Sequence, residues 1–178
     1  MARHTYRGPR CGDRDAACWY VYQVKMSVCC PSVYVVSLYG DKETPLTKDG
    51  RLVLFRRIKD AERLVRRHAS SLSRKAKFGD RGVSLRCDFP QLVDAVVRGS
   101  KDEESKLLNT LNALLELLDA SDIRLPDAYR ERLGALANHL TFRDDIDKFF
   151  ASSNHQRRDI VDALVWGVGS ISTRSLLL

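Results

Sequence analysis

SKDEESKLLNTLNALLELLDA, residues Ser100–Ala120, is the stretch whose reading decides the fold. The leucines read as its stripe are Leu107, Leu108, Leu111, Leu114, Leu115 and Leu118. That spacing lays one broad apolar stripe along a helix of period 3.6. Ser100, with Glu103 three residues on, has the form of a capping box. Asp102, Glu103 and Glu104 put negative charge where a helix N-terminus favours it. A stripe this wide needs cover. The expectation is that later helices supply it and that a small sheet, built earlier in the chain, attaches to the result.

C-terminal to that stretch every segment reads as helix, and a short helix lies directly before it. Asp88 is placed to cap a short helix through Arg98, with Pro90 in its first turn and Gly99 at its end. Ser121–Leu125 turns the chain after the leucine helix. Pro126 opens a helix to Leu140, with Tyr129, Leu133, Leu136, Ala137 and Leu140 on one face. Thr141 with Asp144 resembles a weak cap for FRDDIDKFF, whose apolar residues are Phe142, Ile146, Phe149 and Phe150. Ser153 or Asn154 is read as the cap of a last helix carrying Ile160, Val161, Leu164 and Val165. Gly167 and Gly169 are read as its stop, with SISTRSLLL as an apolar tail.

Towards the N-terminus the period changes to two. In Trp19–Met26, Tyr20, Tyr22, Val24 and Met26 share one face, and Trp19, Val21, Gln23 and Lys25 the other. Pro31 breaks the run, and Val33–Tyr39 (VYVVSLY) follows, nearly apolar on both faces as a central strand would be. Thr44–Thr47 and Arg51–Phe55 flank Lys48-Asp49-Gly50, a hairpin signal because Asp-Gly accepts the positive φ such turns demand. Ile58–His68 is amphipathic, with Ile58, Ala61, Leu64 and Val65 apolar, and is expected to cover one sheet face. Ser70–Arg86 reads as a basic loop, with Val83–Cys87 as a short edge strand.

The predicted class is α+β: a small antiparallel meander of three to four strands with one covering helix, then a bundle of four to five helices. Residues 1–17 are expected to be a flexible basic arm, 18–72 the meander and its helix, 73–87 a basic linker loop, and 88–178 the bundle. Residues 18–178 are expected to share one core. The length of 178 residues suits this, since a globule of that size buries roughly 70% of its unfolded surface. A hydrophobic content of 44% with 30% charged residues is ordinary globular composition. No apolar run approaches the ~20 residues of a membrane span, and MARHTYRGPRCGDRDAA has no apolar core of a secretory signal. A cytoplasmic protein with no membrane partner is expected.

Charge is the one global feature that points outward. Residues 1–87 carry 19 Lys and Arg against 8 Asp and Glu, whereas the remainder carries 11 against 15. The positive charge concentrates at Arg56, Arg57, Lys59, Arg63, Arg66 and Arg67, then at Arg74, Lys75, Lys77, Arg81 and Arg86. Such an array suits a phosphate backbone through counterion release, but a solvated helix face or a protein partner is the reading preferred here. Phe78 is the one aromatic in the loop, which argues against a stacking platform for single strands.

Signals for chemistry are weak. Cys11, Cys18, Cys29 and Cys30 with His4 lack the short ligand spacing of a structural zinc site, so free thiols and no metal are expected. Cys29–Cys30 has no neighbouring base or helix N-terminus to activate a thiol. Asp144, Asp145 and Asp147, flanked by His139 and His155, spread over about 300° of a helix and do not converge. No phosphate loop, nucleophile elbow, dinucleotide fingerprint or zinc-protease motif occurs. No cofactor is expected. Trp19 and Val21 on the second strand face and Leu176-Leu177-Leu178 at the end of the sequence are candidate apolar contact surfaces. The functional expectation is a non-enzymatic protein-binding accessory or adaptor factor, of the kind immunity proteins and antitoxins exemplify, recognising its partner through shape and its basic face. The alternative is a nucleic-acid binder using the basic 56–86 segment.

Overall fold

A computed structural model describes residues 18–39, 43–72, 83, 85–99, 104–142, 145–152 and 156–178. The strands are β1 (Cys18–Lys25), β2 (Val33–Tyr39), β3 (Glu43–Pro45), β4 (Thr47–Lys48), β5 (Arg51–Phe55), β6 (Leu85–Asp88) and β7 (Leu176–Leu177). The helices are α1 (Ile58–Leu72), α2 (Phe89–Arg98), α3 (Glu104–Ala120), α4 (Asp127–Phe142), α5 (Ile146–Ser152) and α6 (Arg157–Arg174). The class is α+β, with all six helices after the first five strands and five of them after β6.

The sheet runs β4-β5-β2-β1-β6, with β3 pairing the far half of β2 and β7 pairing β5. It is mixed rather than a pure antiparallel meander. The hairpins β1–β2 and β4–β5 are antiparallel, but β6 lies parallel to β1 and β7 parallel to β5. Both parallel strands reach the sheet through a helical excursion, and only such crossovers give parallel neighbours. Short-range turn chemistry therefore shows the hairpins and is silent about β6 and β7. The β4–β5 turn is as expected, with Asp49 at φ 52° and Gly50 at φ 71°.

Both sheet faces are covered. Tyr20, Tyr22, Val24, Val35, Leu52, Leu54 and Cys87 join one cluster with the bundle helices. Trp19, Val21, Val36, Val53 and Phe55 join a second with Ala61 and Val65 of α1. The alternation read in Trp19–Met26 is thus the division between the two cores. It also removes Trp19 and Val21 as a partner surface: Trp19 is 7% exposed. Ser37, opposite Tyr20 in the register, is fully buried on the bundle side, and its hydroxyl has no partner among the described residues.

α3 is the central element, bounded by the sheet on one side and by α2, α4 and α6 on others. Leu107, Leu111, Leu114, Leu117 and Leu118 are buried, and Thr110 and Ala113 with them. Taken at 100° per residue, that buried surface spans about 160°, wider than the stripe read from the leucines alone. Leu117 lies off the predicted stripe, and Leu108 and Leu115 fall at its half-buried margin. Each fully buried leucine contributes about 1.5–3 kcal/mol. The Ser100–Glu103 capping box lies outside the described residues.

Helix boundaries bear out α2 and correct α5 and α6. Asp88 caps α2 by accepting from the Gln91 amide at 3.0 Å, and Gly99 follows at φ 79°. α5 is capped by Asp145, which accepts from the amides of Asp147 (2.9 Å) and Lys148 (3.2 Å). Thr141 instead donates back to the Ala137 carbonyl inside α4. The N-cap of α6 is Gln156, with no side-chain capping bond; Ser153, Asn154 and Asp144 lie outside the described residues. Gly167 and Gly169 do not stop α6, which continues to Arg174. A Cβ at Gly167 would sit 3.3 Å from Leu118 Cδ1 and 3.6 Å from both methyls of Leu114. This glycine is therefore a point of close approach between α6 and α3.

That contact carries a prediction. Gly167→Leu has no space between the two helices and is expected to lower unfolding free energy by about 1–3 kcal/mol in urea denaturation. Gly169→Leu, where an added Cβ meets nothing within 4 Å, is expected to leave stability unchanged or raised. Equal effects at the two positions would contradict the assignment of Gly167 to the α3–α6 contact.

Candidate functional site

The described surface holds six large hydrophobic side chains that are exposed: Val28, Val97, Phe142, Val165, Leu177 and Leu178. Three of them, at 76%, 52% and 57% exposure for Val28, Val97 and Val165, line one groove of about 850 Å³. Pro90, Val93 and Val97 of α2 form one wall, and Val165, Val168 and Gly169 of α6 the other. Phe89, itself buried, underlies the groove, and Met26 to Val28, from the turn after β1, close one end.

The charged groups at the rim are already matched. Lys25 pairs with Asp88 at 3.5 Å and Arg98 with Asp94 at 2.8 Å. The rim hydroxyls are engaged as well: Ser172 donates to the Val168 carbonyl at 2.9 Å, and Ser27 accepts from the Cys29 amide at 3.3 Å. A charged or strongly hydrogen-bonding occupant thus finds few open partners. An apolar one finds three bare valines.

Two arginines hold the α6 wall. Arg157, at its start, donates to the Val96 carbonyl at 2.6 Å and to the Asp147 carboxylate, and its guanidinium lies 4.4 Å from the Phe150 ring centroid. One side chain thereby joins α6, α5 and the C-terminal end of α2. Asp147 packs so close to Gly99 that a Cβ there would lie 2.7 Å from its carboxylate oxygens. At the other end Arg51 of β5 donates to the carbonyls of Arg174 (3.3 Å) and Ser175 (2.9 Å), satisfying orphan acceptors of the last helical turn. Leu178 then bonds β5 through its amide to Leu54 (2.8 Å) and receives the Arg56 amide (3.0 Å). The apolar tail read from sequence is an added strand, although Leu177 and Leu178 stay about half exposed.

The basic residues singled out in sequence lie elsewhere. Arg56 and Arg57 precede α1, and Lys59, Arg63, Arg66 and Arg67 stand exposed on it, across the sheet from the bundle. Arg57 and Arg63 both pair with Asp60, at 2.7 and 3.5 Å. Arg74, Lys75, Lys77 and Arg81 lie outside the described residues. Arg86, on β6, is exposed.

Of the acidic and imidazole residues, Asp145, Asp147 and His139 do structural work; Asp144 and His155 lie outside the described residues. The Asp145 carboxyl is held below its usual range, first by the Lys148 backbone N–H, with the Asp147 amide and the Lys148 ammonium adding to it. Asp147 holds Arg157. A His139 ring nitrogen lies 2.9 Å from the Asp145 carbonyl, and its ring meets Phe149 edge-on at 5.3 Å. Among the described residues no three His, Cys, Asp or Glu side chains converge as a metal site. Cys29 and Cys30 are exposed and Cys87 is buried; Cys11 and His4 lie outside the described residues. No helix among the described residues is long and apolar enough to cross a membrane.

Sequence reading placed Val165 in a core stripe and passed over Val97 and Val28. The available signal was that the apolar pairs Val96-Val97 of α2 and Leu164-Val165 of α6 each follow an alanine, Ala95 and Ala163, and three successive apolar residues span about 200° of helix, more than one buried face absorbs. In each pair the first residue is buried and the second is exposed.

No family model and no curated protein matches the chain. Among solved structures it resembles "The crystal structure of SatS c-terminal domain in complex with bromine", with a TM-score of 0.51 at 13% identity, covering 90% of this chain and 94% of that one. At this identity the likeness is one of fold alone.

The Arg157 junction sets the geometry of both groove walls. Arg157→Ala is expected to cost about 1–2 kcal/mol in chemical denaturation, through the lost bond to a half-buried carbonyl and an unpaired Asp147. Arg157→Lys should recover less than half of that, because an ammonium cannot serve the carbonyl and the carboxylate while lying flat on Phe150. Full recovery by lysine would show that only charge matters there.

Proposed function

We propose that this chain is a non-enzymatic polypeptide-binding protein, an accessory or adaptor factor whose α2–α6 groove receives an apolar segment of a partner protein. The observation that carries this reading is the gathering of Val28, Val97 and Val165 along a single cleft whose rim charges neutralise one another. Contiguous exposed apolar surface on a protein of this size marks an interaction site. The groove is open along one side, and a small ligand there would keep much of its surface in water. An elongated segment, laying successive apolar side chains against α2 and α6, buries more. The balanced rim favours a segment without net charge over an acidic or basic one.

The test uses an immobilised array of short synthetic peptides varied independently in apolar content and net charge, probed with the full chain. Retention is expected to follow apolar content and to be indifferent to peptide charge. Val97→Asp and Val165→Asp replace exposed side chains, so folding is expected to persist by circular dichroism. Each is expected to weaken retention by about tenfold or more, because a carboxylate in the groove must be desolvated against the occupant. Retention that follows negative charge, or that survives both substitutions in folded protein, would contradict the proposal.

A further inference from the structure

Across the sheet from the groove, α1 presents a surface of the opposite kind. Arg56, Arg57, Lys59, Arg63, Arg66 and Arg67 are all exposed, against Asp60 and Glu62, which are half-buried. At 100° per residue the four cations on the helix itself fall within about 100° of arc, spread along about 12 Å of axis. Asp60 divides its carboxylate between Arg57 and Arg63, which fixes both guanidinium groups at the surface. Lys59 and Arg66 form no ion pair among the described residues.

The character of this face narrows what it fits. None of the six exposed large hydrophobics lies on α1, so among its described side chains a bilayer would gain none to insert and a protein partner no apolar centre. Five of the six cations are arginine, whose planar fork matches phosphate oxygens in pairs. α1 contains no Phe, Tyr or Trp on which a base could stack. We propose that the outer face of α1 binds the phosphate backbone of nucleic acid, without base recognition, independently of the groove.

The experiment is a fluorescence-anisotropy titration of the full chain into labelled mixed-sequence duplex DNA across a salt series, with phosphatidylserine vesicles as a second polyanion. Six cations offset by two acids act as about four neutralising charges, so log affinity is expected to fall against log salt with a slope of about −3 to −4. Between ~50 and ~200 mM salt that is about a hundredfold loss. The double substitution Lys59→Glu with Arg66→Glu is expected to weaken binding by at least about tenfold while the circular dichroism spectrum and thermal midpoint are retained. Absence of binding at ~50 mM salt, a flat salt dependence, or undiminished binding by the folded double variant would each overturn the proposal. So would tighter binding to the vesicles than to the duplex.

Discussion

The structure depends on how much of α3 must be kept from water. Its buried surface is too wide for a single neighbour, so the helix is wedged between a sheet and three other helices. Gly167 lets α6 lie against Leu114 and Leu118 without a side chain between. Because interiors are packed to near-crystalline density, α6 has little freedom to move once that contact is made.

The groove follows from this placement. α2 and α6 both turn one apolar strip inward, with Leu92 and Val96 from α2 and Ile160, Leu164 and Ile171 from α6 in the core. Each also bears apolar residues beyond that strip, which the core has no room for. Arg157 and Arg51 then hold α6 at its two ends, to α2 and α5 at the start and to β5 at the finish. The valines left outside are thus displayed on walls braced by hydrogen bonds. A preformed cleft of this sort does not spend ordering entropy on binding, which favours affinity from a modest apolar area.

Much of this architecture was legible in the chain, for physical reasons that also mark where reading stopped. Strand alternation in Trp19–Met26 assigned the side chains to two faces because a pleated strand has period two, but did not show that the Trp19–Val21 face is covered as a second core. The Asp49-Gly50 turn and the Asp88 cap showed themselves because their backbone geometry accepts few residues. β6 showed as an edge strand over Val83–Cys87 but its parallel pairing did not, and β7 left no sign at all, since parallel pairing is decided by distant packing and leaves no local mark. Gly167 was misread because a glycine that stops a helix and one that admits a neighbour look alike in sequence. The groove was harder still. Exposed and buried valines are the same residue, and only the crowding of α3 against α6 decides that Leu164 is inside and Val165 outside. The arginines of α1 were plain from the start, because charge on an amphipathic helix must face water.

Two surfaces of opposite character thus sit on either side of one sheet, and both rest on the claim that α3 joins sheet and bundle into a single cooperative unit. Native-state hydrogen exchange read residue by residue tests this directly. The account predicts that the central amides of α3, β1, β2 and α6 exchange only through global unfolding, with one shared opening free energy and one shared denaturant dependence. Exchange of the β1 and β2 amides through a separate, lower-energy opening, while α3 and α6 stay protected, would contradict it.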